Sequence, residues 1–506
     1  MTPAKQNKIS PQIFRLPLRV LCLLCVSALW VVDCRACAAP AADFTLPNGL
    51  RILVRERHAS PLIAIELWVR AGAREETSSE AGAAHFLEHT LFKGTKTRRV
   101  GEVDMAIENL GATLNAATGP DYARFYTCVA SEHGSDALEV VADVVRNAAL
   151  PALEVERERQ VIRDELAQRD SDSGSVLIDR LYGAAFSAHP YGRPPGGTAA
   201  GIRALTRESL VSFYRRTYTP GRCTLVLAGD LTSERARSMA ERAFGDWPAT
   251  KSDTDAPSGV QDRPDSIRAH EKISAPRPST DSTAGKAAGV VGEAGAGPDS
   301  AALEARDLRE VADIAYPAMG IAFLAPAAAD KSMACAAQVV AAILGQSDIG
   351  GRLSIGRLSG CGARVSFAPR RDSGLFIVAS TMPLATFGRM RTRDEMAAAT
   401  AAQQQAVLTV LQSLHSTPPT AGELLAAKSA LLGRMIFENE TNTGLASALG
   451  GADVTGGDPP EAWRAGVEKI TLAEVRQFAA RWLDSAHSIR LILLPRSLST
   501  TTGGQP

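Results

Sequence analysis

Net charge is missing from this chain. Its 55 basic and 55 acidic residues cancel over 506 positions, and no basic tract interrupts the balance. Without a positive cluster, nucleic acid is excluded as a partner. Cysteine is equally thin. Four of the eight lie in or beside an N-terminal apolar segment, leaving Cys128, Cys223, Cys335 and Cys361, with no C-x-x-C pair among them. That removes a cysteine zinc knuckle, and buried free thiols in apolar runs are expected rather than bridges. A long apolar run is also absent from the N-terminus. Lys5, Lys8, Arg15 and Arg19 precede only 13 apolar-core residues, 20–32, which are followed by Ala36-Cys37-Ala38. A spanning helix needs roughly 20 apolar residues, so residues 1–38 read as a secretory signal rather than an anchor, leaving no stable membrane span after cleavage. Lipidation at Cys34 or Cys37 is a poor match, because Asp33 or Arg35 stands where small or apolar residues belong.

Histidine is rare too, at 8 of 506, which makes one cluster informative: His85-Phe86-Leu87-Glu88-His89. At that composition a chance H-x-x-E-H arises with odds of about one in a hundred or less. On a helix, residues three and four apart share a face, so His85, Glu88 and His89 project toward one point. Two imidazoles make a weak zinc site, and a catalytic site needs a third ligand plus an open position. Residues 151–169 offer it. Pro151 at the first helical position opens a run of good helix formers, with Val155, Val161, Ile162 and Leu166 as an apolar stripe. Glu158 and Glu165 fall inside that stripe. Carboxylates there call for a cation or donors, and a zinc ligand would answer; a solvated face or salt bridges are the plainer alternative.

The inverted motif is the inverzincin signature, and the chain resembles the pitrilysin/insulinase family of zinc peptidases, of the two-domain type related to mitochondrial processing peptidase. The resemblance rests on segments 43–54, 81–95, 111–118, 156–165 and 189–193 with Gly197-Thr198, in family order. It implies that His85, His89 and Glu165 bind one zinc per chain. It further implies that Glu88 is the general base on the zinc-bound water and that Glu158 supports catalysis electrostatically. Asn115 and Ala116 would lie on an edge strand to which an extended peptide adds by main-chain hydrogen bonds. The implied activity is that of a zinc metalloendopeptidase hydrolysing peptides or short unfolded polypeptides, exported to a bacterial periplasm.

The chain also reads as internally duplicated: residues 205–218 and 470–483 align without gaps, and each runs into an apolar strand. The expected fold is α+β, two homologous α/β-sandwich domains with antiparallel sheets and packed helices in a clamshell arrangement. The catalytic domain is placed at 39–248, a flexible linker at 249–304, a non-catalytic homologous domain at 305–495, and a frayed tail at 496–506. In the second half, 333–344 has no histidine where the first half has its motif. The family's second half lends substrate an arginine and a tyrosine seven positions apart. Arg357 matches the arginine, but Arg364 stands in the tyrosine's place. A heterodimer with a non-catalytic family member, or a homodimer, is therefore expected. The alternative is a weakly active binding or assembly subunit of a heteromeric peptidase.

Overall fold

The computed structural model describes residues 41–249, 303–345, 351–353, 362–382, 386, 388–390 and 392–497. The signal segment, nearly all of the 249–304 connection, Arg357, Cys361 and residues 498–506 lie outside the described residues.

The first half is built on six strands, β1 (Ala41–Thr45), β2 (Arg51–Glu56), β3 (Leu62–Val69), β4 (Asn115–Thr118), β5 (Ala123–Ala130) and β6 (Cys223–Gly229), in the order β1-β2-β6-β3-β5-β4. All neighbours are antiparallel except β2 and β6. Seven of the eight β3 residues and all of β6 are buried, whereas β5 alternates buried and half-buried. Central strands covered on both faces read as continuous apolar runs, and β5 next to the edge keeps the period of two. Helices α1 (Ala83–Leu91), α2 (Glu102–Glu108), α3 (Gly134–Arg146), α4 (Ala152–Ser171), α5 (Ser173–Ala185), α6 (Ala199–Ala204), α7 (Arg207–Thr217) and α8 (Ser233–Phe244) belong to this half of the chain.

The second half repeats the plan. Strands β7 (Arg306–Ala312), β8 (Ala318–Ala325), β9 (Arg364–Phe367), β10 (Gly374–Thr381) and β11 (Ser488–Pro495) take the order β7-β11-β8-β10-β9. Its helices are α9 (Lys331–Gly345), α10 (Arg393–Ser416), α11 (Ala421–Glu438), α12 (Asn442–Thr455), α13 (Pro460–Lys469) and α14 (Leu472–Trp482). Again one pair, β7 with β11, is parallel. The gapless sequence match falls on α7 and α14, each opened by a reciprocal cap. The hydroxyls of Thr206 and Thr471 accept from the backbone N–H of Ser209 and Glu474, both at 3.2 Å, and the third-residue side chain returns to the threonine N–H. Cys128, Cys223 and Cys335 are free thiols, as expected.

Each half covers the other's sheet with one helix. Leu177 and Leu181 of α5 join the core that contains Ile321 and Phe323 of β8. Ala446, Leu449 and Val454 of α12 pack with Ala64, Trp68, Val226 and Ala228 of the first sheet. Beneath α12, the buried Glu66 carboxylate accepts from Trp68 Nε1 at 2.9 Å and Ser447 Oγ at 2.7 Å. That hydrogen bond fixes the indole where Gly450 of α12 rests on it, so a methyl at 450 would overlap the ring. Gly450→Ala is therefore expected to cost about 1–3 kcal/mol by overpacking. Chemical denaturation of the variant measures it, and an unchanged midpoint would show that α12 docks less tightly than its contacts imply.

Candidate metal centre

Helix α1 starts abruptly. Gly82 precedes it at φ 94°, and the Glu76 carboxylate accepts from the backbone N–H groups of Gly82 at 3.0 Å and Ala84 at 2.9 Å. A carboxylate thus satisfies the orphan donors and matches the positive end of the helix dipole. Burial pushes Glu76 up to about 7, against those two hydrogen bonds. Arg193, from the loop His189–Arg193, donates to the carbonyl of Glu76 at 2.7 Å and steadies the same corner. Phe86, Leu87, Thr90 and Leu91 face the core, which leaves His85, Glu88 and His89 half-buried on the opposite side.

Helix α4 crosses beside them. Pro151, expected as the first helical residue, is instead the extended residue just before the helix, at ψ 135°. Val155, Ile162 and Leu166 are buried as the periodicity requires, but Val161 is 49% exposed and does not belong to the stripe. The two glutamates also separate. Glu158 is buried, whereas the Glu165 side chain is 51% exposed at the mouth of the site.

His85 Nε2 lies 3.6 Å from Glu165 Oε1 and His89 Nε2 lies 3.3 Å from Glu165 Oε2. One donor atom from each of the three residues lies within 4.8 Å of the others, and no other such group occurs among the described residues. Direct charge-assisted hydrogen bonds run about 2.7–2.9 Å. Donors held about 2.0–2.2 Å from one tetrahedral zinc stand roughly 3.3–3.6 Å apart, the range of the two distances to the Glu165 oxygens, while the set of one donor per residue lies within 4.8 Å. Burial lowers the pKa of His85, the first of several influences, and favours the neutral ring that a metal needs. The donor set fits zinc.

Glu158 is not part of that cluster. Its Oε2 lies 3.2 Å from Nδ1 of His89, the ring nitrogen remote from Glu165, and its Oε1 lies 3.0 Å from Lys93 Nζ. Glu158 thus meets the opposite edge of the His89 ring and lies outside the three-residue group. Glu88 forms no side-chain hydrogen bond or ion pair among the described residues and lies one position from His89 on the exposed side of α1. Asn115, exposed, and Ala116, half-buried, lie on β4, the free edge of the first sheet, which packs beside α1. An extended chain paired there would lie along the edge that packs beside α1.

The equivalent place in the second half has different chemistry. Counted from the first residue of each helix, Ala427 of α11 stands where Glu158 stands in α4, and Arg434 where Glu165 stands. Arg364 is exposed at the start of β9. Sequence reasoning missed Glu76 and Lys93. Lys93 follows His89 by four and could have been read as sharing its face; Glu76 lies in a loop and carries no periodic signal.

The family description "Insulinase (Peptidase family M16)" matches residues 51–199, and "Peptidase M16 inactive domain" matches 204–431. A protein named as an uncharacterized zinc protease in Mycobacterium leprae is 39% identical over 201 residues, 40% of this chain and 45% of that protein. A probable mitochondrial-processing peptidase subunit beta of Schizosaccharomyces pombe is 36% identical over 221 residues, 43% of this chain and 48% of that one. The matched segment thus spans about half the length of these relatives. Among solved structures, a protease from Helicobacter pylori superposes with a TM-score of 0.74 at 19% identity, over 90% of this chain and 99% of that one. The periplasmic protease PqqL from Escherichia coli does so with 0.65 at 17% identity, over 90% of this chain and 48% of that one. At these identities the structural likeness establishes the fold.

Proposed function

The chain belongs to the insulinase family of peptidases, family M16, and on that premise we propose that it is a zinc-dependent endopeptidase acting on peptides or short unfolded polypeptides. The observation that carries the reading is the convergence of His85, His89 and Glu165 from two helices at ligand spacing. Zinc bound by these three would supply Lewis acidity toward a carbonyl and lower the pKa of a water molecule to about 7. Glu88 takes the proton from the attacking water on its carboxylate and returns it to the departing amine nitrogen. Glu158 holds His89 through Nδ1, and the backbone of Asn115 and Ala116 aligns the substrate as an added strand. Arg357 is proposed to reach substrate from the second half. Arg364 stands where the resemblance puts that half's tyrosine, and we assign the tyrosine's function to a second subunit. Export is proposed from residues 1–38; no described helix is long and apolar enough to cross a membrane.

About one zinc per chain is expected in the purified protein, and Glu165→Gln should lose both metal and peptide turnover. Metal analysis alongside cleavage of a quenched fluorescent peptide tests this; equal zinc in the wild type and a His85/His89 double substitution would sink it. A second reading, a binding subunit with slight activity of its own, is favoured by one observation. Among the described residues, the second half offers Ala427 and Arg434 where the first has Glu158 and Glu165. Stoichiometric zinc without turnover, both by the isolated chain and with a second family subunit added, would select it.

A further inference from the structure

We propose that Lys93 is a positioning residue for the metal-binding ring of His89, acting through Glu158. The inference rests on the zinc reading of the site above. Helix α1 ends at Leu91, but Phe92 keeps the right-handed helical conformation and Lys93 N donates to Thr90 O at 3.1 Å. The chain therefore continues to wind for one more turn past His89, and a residue four places on returns to the same face. From there the Lys93 ammonium reaches Glu158 Oε1 at 3.0 Å, while Oε2 of the same carboxylate lies 3.2 Å from His89 Nδ1. The far side of that ring, Nε2, is the edge turned to Glu165 at 3.3 Å. Three elements thus line up: an ammonium, a carboxylate, and the ligand ring.

Each contact has a physical consequence. The Glu158 side chain is only 10% exposed, and a carboxylate taken from water without a counter-charge would swing out toward solvent. Lys93 is the one Lys or Arg paired with it among the described residues. By occupying Oε1, the ammonium leaves Oε2 as the acceptor for Nδ1–H, so the proton sits on Nδ1 and the lone pair on Nε2. A carboxylate that orients a ligating histidine is an ordinary device. Here its own orientation is set by a lysine from the end of the motif helix, so the motif extends four residues beyond His89.

The decisive measurement is a double-substitution cycle on zinc affinity, read by chelator competition with the full chain. Lys93→Met should weaken zinc about 10-fold, the low end for losing an outer partner of a ligand. Lys93→Arg should restore affinity to near wild type, because the guanidinium keeps the charge and can reach the same oxygen. Within Glu158→Gln, adding Lys93→Met should change nothing further. An apo-protein ¹⁵N spectrum provides a readout free of metal: His89 should carry its proton on Nδ1 in the wild type and mix tautomers in Lys93→Met. Unchanged affinity in Lys93→Met, or an equal 10-fold loss with and without the Glu158 carboxylate, overturns the proposal. A wild type that binds no zinc sinks the parent reading and this inference with it. Wild-type zinc binding with no effect of Lys93→Met sinks this inference alone.

Discussion

Glu88→Gln is expected to keep its zinc and lose peptide turnover by about 10²- to 10⁴-fold, the usual contribution of a positioned general base. The geometry separates the two outcomes. The proposed metal donors are the two imidazoles and Glu165, with donor atoms within 4.8 Å of one another, and Glu88 is not in that group. Glutamine preserves shape and polarity but cannot accept the proton from water, so the ligand shell stays while the acid–base function goes. Zinc content by metal analysis and turnover of a quenched peptide, on the same preparation, provide the test. Loss of zinc in Glu88→Gln would mean that this carboxylate ligates and that Glu165 has been given the wrong role. Retained turnover within a factor of a few would move the base elsewhere.

The second large effect is expected at Asp372, in the turn between β9 and β10. There a residue of the second half enters the first. Arg74 donates from Nε to Asp372 Oδ2 at 2.5 Å and from Nη2 to Oδ1 at 3.0 Å, and His189 Nε2 lies 3.2 Å from the same carboxylate. The side chains of Asp372 and Arg74 are 12% and 22% exposed. Close by, the buried Asp121 accepts from the Tyr191 hydroxyl and from the backbone N–H of Arg371 at 3.2 Å. Thus His189 and Tyr191, in the loop that resembles the family's, bind the two halves together. Asp372→Ala removes one of two counter-charges from a largely buried guanidinium, Glu75 Oε1 remaining 2.9 Å from Nη1, so the cost is about 1.5–3 kcal/mol, that of hydrogen bonds to a charged group.

The pH dependence has a fixed sign. Burial alone would raise Asp372; the hydrogen bonds and charges of His189 and Arg74 outweigh it and hold the group at about 2, below its ordinary 3.8. A depressed carboxylate contributes stability that is fully present above its unfolded pKa and is lost as pH falls through the folded one. The gap between wild type and Asp372→Ala should therefore be widest near neutrality and shrink from roughly pH 5 toward pH 2. Denaturant titrations at several pH values measure it. A gap that stays constant over that window would show that the carboxylate contributes through packing and not through its charge.

Much of this site was legible in the sequence because its signals are local. Helical periodicity alone puts His85, Glu88 and His89 on one face, and no distant contact is needed to see it. The duplication was legible for the same reason: Thr206 and Thr471 cap α7 and α14 through residues three places on. Periodicity also put Glu158 and Glu165 on one face of α4, seven residues and two turns apart, but it carries no information on how α4 lies along α1. Tertiary packing decided that Glu165 meets Nε2 of His89 while Glu158 meets Nδ1. It also left Val161 exposed, because the face of α4 that it shares meets no neighbour there. The Asp372 clamp and the exchange of α5 and α12 lie still further from sequence pattern. They join residues far apart in the chain, such as His189 with Asp372, 183 positions apart, and Glu66 with Ser447, 381 apart. Such pairings follow from how two sheets and their helices fit, and no local rule of spacing encodes that fit.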